Sequence, residues 1–110
     1  MNMRIIAGLF GGRSIEGSGT NRTHPMGERI RGSLFNIIGT EIQGATVLDA
    51  FAGSGALGLE ALSRGAESAT FIERDRVAQT IIAKNIMSLG VSGQARLVKA
   101  PRSEEHTSEL

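Results

Sequence analysis

Cysteine is absent from this 110-residue sequence, which excludes disulfides and thiolate metal sites and fits a reducing cytoplasm. Long apolar runs are absent too: no stretch approaches the roughly 20 residues needed to cross a bilayer, and no basic-then-apolar leader opens the chain. The two histidines, His24 and His106, lie too far apart in sequence to indicate a metal pair. We therefore expect a cytoplasmic protein that binds neither a membrane nor a metal ion.

The composition that remains is ordinary for one small globular domain, with 40% hydrophobic and 21% charged residues. The net charge of +1 hides an uneven distribution, because residues 1–31 carry five arginines against two glutamates. A basic stretch of this kind can be a footprint for nucleic acid or merely a solvated surface. Charge alone leaves both interpretations open.

The first 44 residues predict a β-hairpin followed by a helix. Met3–Phe10 is typical of a strand, a glycine pair marks the turn, and Arg13–Ile15 fits a return strand. After a polar loop, Pro25 suits the first turn of a helix that Gly39 would end. Helical spacing predicts that the apolar face of this helix carries Met26, Ile30, Leu34, Ile37 and Ile38.

From residue 45 onward the pattern becomes an alternation of strands and helices. Strands are predicted at Ala45–Ala50, Ser68–Glu73 and Gln94–Ala100, and helices at Ala56–Arg64 and from a cap at Asp75 to Leu89. The apolar face of the second helix would contain Val77, Ala78, Ile81, Ile82, Ile86 and Leu89. Strands and helices that alternate with tight connections indicate an α/β fold, here the first three strands of a parallel sheet.

The turn between the first of these strands and its helix is rich in glycine. Asp49 ends the strand, and Gly53 and Gly55 allow a sharp turn that brings the backbone close to a ligand. The helix that follows offers its unpaired N–H groups to electron-rich atoms. A glycine pattern of this kind is shared by nicotinamide, flavin and S-adenosylmethionine proteins, so it indicates a nucleoside cofactor without choosing one.

Two carboxylates narrow the choice. Asp49 would repel the diphosphate of a dinucleotide, but it would attract the ammonium of S-adenosylmethionine. Glu73, at the end of the next strand, can accept both ribose hydroxyls of either ligand. The plainer alternative is that both acids only cap the helices that follow them. Phe51 either lines the ligand pocket or packs under the turn.

At this point the sequence resembles a known family. Residues Gly44–Ala66, which read GATVLDAFAGSGALGLEALSRGA, are similar to the bacterial 16S ribosomal RNA (guanine-N2) methyltransferases called RsmD. The opening MRIIAG from Met3, the pair at Gly12 and Arg13, and the segments RIR from Arg29 and LFN from Leu34 resemble the start of that family. The resemblance extends from Met3 to about Ala100.

The resemblance implies a Rossmann-like, S-adenosylmethionine-dependent methyltransferase sheet preceded by a small hairpin and helix. The substrate would be a guanine N2 amine in 16S ribosomal RNA or the assembling small subunit, and the parent protein a monomer. By position, the implied cofactor-binding residues are Asp49, Phe51, Gly53, Ser54, Gly55 and Glu73. The implied RNA-binding residues are Arg4, Arg13 and Arg22.

The sequence departs from the family at three places. His24 stands where the family usually has arginine, and Gly32 stands where it usually has glutamate. The Asn/Asp-Pro-Pro-aromatic motif that holds the target amine is missing, since the only prolines are Pro25 and Pro101. The chain is therefore expected to contain no catalytic residue. We expect an inactive front fragment, marginally stable or prone to aggregation because its sheet is unfinished.

These patterns divide the chain into a hairpin and helix at 1–44, a partial methyltransferase domain at 45–101 and a tail at 102–110. The tail, RSEEHTSEL, matches the translation of a common sequencing-library adaptor and has no apolar period, so we predict that it is not native. Two other functions stay open. One is a methyltransferase acting on another amine, such as DNA adenine or protein glutamine, and the other is a nicotinamide-binding oxidoreductase domain.

Overall fold

A computed structural model describes residues 2–17 and 27–101 of the chain. The elements in chain order are β1 (Asn2–Arg4), β2 (Ser14–Glu16), α1 (Glu28–Ile38), a 3₁₀ helix (Gly39–Ile42), β3 (Thr46–Ala50), α2 (Ala56–Ser63), β4 (Ser68–Glu73), α3 (Arg76–Leu89) and β5 (Ala95–Lys99). No helix within these described ranges is long and apolar enough to cross a membrane.

Strands β3, β4 and β5 form a parallel sheet in that order, so the predicted α/β fold with three parallel strands is confirmed. One face of the sheet packs against α2 and α3: Phe71 of β4 is fully buried there, next to Gly58 of α2. On the opposite face the side chains are more open, and Leu48 is 64% exposed. The core therefore lies between the sheet and two helices on one side of it.

The N-terminal hairpin is confirmed, but its first strand is much shorter than the predicted Met3–Phe10. β1 pairs antiparallel with β2 only from Asn2 to Arg4. Beyond that point the backbone N–H groups of Ile6 and Ala7 donate to the carboxylate of Glu60 in α2, at 2.9 and 3.1 Å. Because α2 takes these donors, the chain leaves the ladder and turns.

The predicted apolar face of α1 is only partly correct: Ile38 packs against the core and Leu34 is half-buried. Ile30 and Ile37 are 62% and 83% exposed, whereas Arg31 and Phe35 are buried. The buried face also contains a charged residue that apolar periodicity does not predict, because Arg31 lies 3.4 Å from a Glu60 oxygen. The predicted start of the helix near Pro25 and Met26 lies outside the described residues.

Helix α3 agrees with prediction at both ends. The Asp75 carboxylate accepts a hydrogen bond from the Ala78 N–H at 2.9 Å, and Gly90 ends the helix in the left-handed region at φ 71°. Its buried face contains the predicted isoleucines and Leu89, but Val77 is 57% exposed. Val77 lies in the first turn beside the buried Ala78 and is not part of the buried face.

Candidate functional site

Asp49 lies at the carboxyl end of β3 and is only 7% exposed. Its Oδ2 accepts a hydrogen bond from the Gly58 N–H in the first turn of α2, at 3.0 Å. Burial raises the pKa of Asp49 from its ordinary value of 3.8 to about 6; this hydrogen bond lowers it, and the charge of Glu73 raises it further. The carboxylate thus caps the first turn of α2, as the capping interpretation predicts. Its one hydrogen bond offsets only part of the free-energy cost of ionising a buried carboxyl.

Glu73 lies at the carboxyl end of β4, the strand beside β3. One of its oxygens accepts a hydrogen bond from the Gly53 N–H at 2.8 Å, and the other accepts one from the Asp75 N–H at 2.9 Å. The residue that caps α3 is Asp75, so Glu73 is not the helix cap. Since parallel strands end at the same edge of the sheet, Glu73 and Asp49 lie on either side of one loop.

The loop between them is built on two glycines in the left-handed region, Gly53 at φ 60° and Gly55 at φ 87°. The Gly55 N–H donates to the Ala52 carbonyl at 2.8 Å, closing a tight turn before α2 begins. A Cβ at Gly55 would also lie 3.4 Å from the Phe71 ring. The glycine loop, defined here as residues 52–55, therefore needs glycine at both positions for its conformation.

Phe51 precedes this loop with φ 59°, a conformation that non-glycine residues rarely adopt. Its side chain is 81% exposed, so the interpretation that it packs under the turn is wrong. The ring lies in the open at the same edge of the sheet as Asp49. An exposed aromatic in a rare backbone conformation indicates a contact surface and not part of the core.

Ser54 is 6% exposed and faces the N-terminal hairpin. Its hydroxyl donates to the sulfur of Met3 at 3.4 Å, and its carbonyl accepts from the side-chain amide of Asn85 at 3.0 Å. Sequence reasoning missed Asn85. A signal was available, because Asn85 is a polar residue at helical spacing from the buried Ile81 and Ile82 on α3.

The two predicted RNA-binding arginines that the structure describes have different partners. Arg4 is exposed and lies 3.6 Å from the Glu28 carboxylate. Arg13 donates to the Ser88 carbonyl at 2.9 Å, with its guanidinium 6.0 Å from the centre of the Phe10 ring. Arg22, together with His24, lies outside the described residues.

A second polar cluster, also missed from the sequence, joins the hairpin and α1 to α2. Glu60 is fully buried and pairs with Arg64 at 2.8 Å and with Arg31 at 3.4 Å. Arg31 also donates to the Arg4 carbonyl, and Arg64 lies 5.0 Å over the Phe35 ring. This cluster holds the N-terminal elements in place and lies away from the sheet edge that carries the glycine loop.

Within residues 2–17 and 27–101, no group of three or more histidine or carboxylate side chains could hold a metal ion. The chemistry available at the glycine loop is therefore that of two carboxylates, backbone N–H groups and an exposed aromatic ring. Such a set fits a nucleoside that carries a positive charge.

Comparison with known proteins adds to this geometry. A family model described as "Conserved hypothetical protein 95" matches residues 3–109. The chain is 45% identical over 98 residues to ribosomal RNA small subunit methyltransferase D of Escherichia coli strain K12, covering 89% of the chain and 49% of that protein. It is also similar to the solved structure of yhhF from Escherichia coli, named as a methyltransferase, with a TM-score of 0.80 and 44% identity over 92% of the chain and 54% of that structure.

More distant structures share the fold alone. A SAM-dependent methyltransferase from Thiobacillus denitrificans, solved in complex with S-adenosyl-L-homocysteine, matches with a TM-score of 0.63 and 21% identity over 76% of the chain and 33% of that structure. The chain spans about half the length of the curated relatives that it matches.

Proposed function

The chain belongs to the family described as conserved hypothetical protein 95, and from that premise we propose that it is the front half of an S-adenosylmethionine-dependent RNA methyltransferase. We refer to the protein of which it would be part as the full-length protein.

We propose that the partial methyltransferase domain occupies residues 45–101, that the hairpin and α1 at 1–44 contact RNA, and that the tail at 102–110 is adaptor-derived. The tail lies outside the described residues.

The observation that carries the proposal is the buried carboxylate of Asp49 beside the glycine loop. Burial raises the pKa of this carboxyl to about 6, and among the described residues it has one hydrogen bond and no cation to offset that burial. A ligand ammonium would supply such a cation, whereas a diphosphate would add a repulsive charge. We therefore favour S-adenosylmethionine over a dinucleotide.

In this assignment the cofactor supplies an activated methyl group on a sulfonium. Asp49 would bind its ammonium, and Gly53, Ser54 and Gly55 would line its methionine side. Glu73 would accept hydrogen bonds from the ribose hydroxyls with the lone pairs that Gly53 and Asp75 leave available. Phe51, whose ring is exposed beside the loop, would cover the bound cofactor.

We propose that the acceptor is the N2 amine of a guanine in 16S ribosomal RNA, alone or in the assembling small subunit. The naming of the Escherichia coli relative as a small-subunit ribosomal RNA methyltransferase supports the RNA class. Arg4, Arg13 and Arg22 would bind phosphates, and the full-length protein would act as a cytoplasmic monomer. The group that orients the amine would lie in the part of the full-length protein that follows residue 101.

The experiment starts from the source DNA, read past the codon for Ala100. The proposal expects a fourth strand and an Asn/Asp-Pro-Pro-aromatic motif. The full-length protein is then titrated by calorimetry with S-adenosylhomocysteine and with NADH, and assayed for methyl transfer to small subunits that lack the modification. Binding of NADH alone would identify a nicotinamide oxidoreductase. Transfer to DNA adenine or to a protein glutamine would identify a methyltransferase of another substrate class.

A further inference from the structure

Asn85 makes three hydrogen bonds that join separate parts of the molecule. It lies on α3, is 3% exposed, and its side-chain carbonyl accepts from the Glu16 N–H at 2.8 Å. Its side-chain amide donates to the Glu16 carbonyl at 2.9 Å and to the Ser54 carbonyl at 3.0 Å. One side chain thus satisfies both backbone groups of a hairpin residue and also holds the glycine loop.

We propose that Asn85 is a positioning residue, which fixes the peptide between Ser54 and Gly55 in the conformation that binds the cofactor and couples that conformation to docking of the N-terminal hairpin. The proposal rests on the proposed function, since it assumes that the glycine loop binds S-adenosylmethionine. Asn85 acts through Ser54 and is not assigned a contact with the cofactor.

The glycine loop has few steric constraints of its own. Gly53 and Gly55 flank Ser54 and both have positive φ, so little in their own sterics prevents the intervening peptides from rotating. Rotation of the Ser54–Gly55 peptide would turn the Ser54 carbonyl away and break the Gly55 N–H bond to Ala52. The Asn85 amide opposes this rotation because it holds the carbonyl end of the same peptide.

The hairpin and the glycine loop are coupled because the side-chain amide of Asn85 binds both Glu16 and Ser54. The planar side chain pairs with Glu16 as a neighbouring strand would, through one donor and one acceptor, and this pairing fixes where its second N–H points. When the hairpin is docked, that N–H is directed at Ser54. A ligand that orders the loop must therefore also favour the docked hairpin, because linkage between two sites is reciprocal.

The test uses the full-length protein with Asn85→Ala and Asn85→Asp, and Ile86→Val as a matched control. Ile86 is the next residue on α3 and is buried in the core, so its truncation weakens packing without touching Ser54. We expect the affinity for S-adenosylhomocysteine, measured by calorimetry, to fall about tenfold in both Asn85 variants and to stay within about twofold in Ile86→Val. Asn85→Asp retains an acceptor for the Glu16 N–H but directs a carboxylate at two carbonyls.

A second measurement needs no variant. Hydrogen exchange of the unaltered full-length protein is followed with and without S-adenosylhomocysteine, and the Glu16 amide should slow together with the Gly55 amide. An affinity loss no larger in the Asn85 variants than in the control, or a Glu16 amide that the ligand leaves unchanged, would overturn the inference. If the unaltered protein binds no S-adenosylhomocysteine at all, the failure belongs to the proposed function.

Discussion

Replacing Asp49 by asparagine should stabilise the ligand-free protein while weakening cofactor binding. Asparagine has the same shape and retains an oxygen that can accept the Gly58 N–H, so only the charge is lost. The pKa of Asp49 is about 6 in the folded chain against an ordinary value of 3.8. A difference of about two pKa units corresponds to roughly 3 kcal/mol of ionisation cost at pH 7. Because asparagine does not pay this ionisation cost, we expect Asp49→Asn to raise the free energy of unfolding at pH 7 by about 1–3 kcal/mol.

The effect of Asp49→Asn on the free energy of unfolding should depend on pH. A carboxyl whose pKa is raised on folding binds its proton more tightly in the folded state, so its contribution to stability is fully present below pH 3.8 and is lost as the pH rises through 6. The stability difference between Asp49→Asn and the unaltered protein should therefore be largest above pH 7 and should vanish near pH 4. Urea unfolding of the full-length protein at pH 7.5, 6 and 4.5 measures it.

Binding should change in the opposite direction. S-adenosylhomocysteine retains the ammonium, so its affinity for the unaltered protein should fall roughly tenfold per pH unit below 6, as Asp49 becomes protonated. The Asp49→Asn variant should bind weakly at every pH and show a flat profile in this range. A variant that is less stable than the unaltered protein at pH 7.5, or that binds S-adenosylhomocysteine equally well there, would refute the reasoning.

Four further changes test other parts of the structure. A Cβ at Gly58 would lie 2.4 Å from the buried Phe71 ring, so Gly58→Ala should lower the free energy of unfolding by about 1–3 kcal/mol. Gly32→Ala, whose Cβ finds its nearest heavy atom at 3.6 Å, should raise it by about 0.5–1 kcal/mol; equal effects in the same urea experiment would exclude the steric explanation. Glu60→Gln leaves the buried Arg31 and the half-buried Arg64 without an anion and should lower the free energy of unfolding by about 3–5 kcal/mol, with hairpin amides that exchange faster; unchanged exchange would contradict the anchoring role. Arg13→Ala should reduce the slope of log RNA affinity against log salt concentration by about one, as expected for the loss of one phosphate contact. An unaltered slope would show that Arg13 does not contact RNA phosphates.

Residues 45–101 could be predicted closely because their signals are local. β4 was predicted at its observed bounds, and the ends of α3 follow from an aspartate cap and a terminal glycine. Each of these features is decided within a few residues along the chain, and in each case propensity, periodicity and capping agree.

The same local rules failed for α1, because a distant residue decides which face is buried. Arg31 carries a charge and would be assigned to the surface by any hydrophobic pattern, yet Glu60 draws it into the core. Ile30 and Ile37 are exposed as a result. Periodicity predicts burial only where the partner surface is apolar, and at Arg31 the partner is the Glu60 carboxylate.

The residues of the candidate site differ in the same respect: some could be predicted from local sequence and others could not. The acids and glycines of the loop could be found because they lie within one strand–turn–helix unit and the start of the next. Asn85 could be identified only as a polar residue on the buried face of α3 and not by its partners, since Ser54 and Glu16 lie 31 and 69 positions away in sequence. No spacing rule covers contacts of that range.

The attachment of the hairpin to later elements also has a consequence for synthesis on the ribosome. The backbone of Ile6 depends on a carboxylate 54 residues further along the chain, and Glu16 depends on an amide 69 residues further along. At about 5–20 residues per second, the nascent hairpin would wait several seconds for either partner, and longer for both to leave the exit tunnel. The hairpin is therefore synthesised before α2 and α3 but reaches its native position only after they are available.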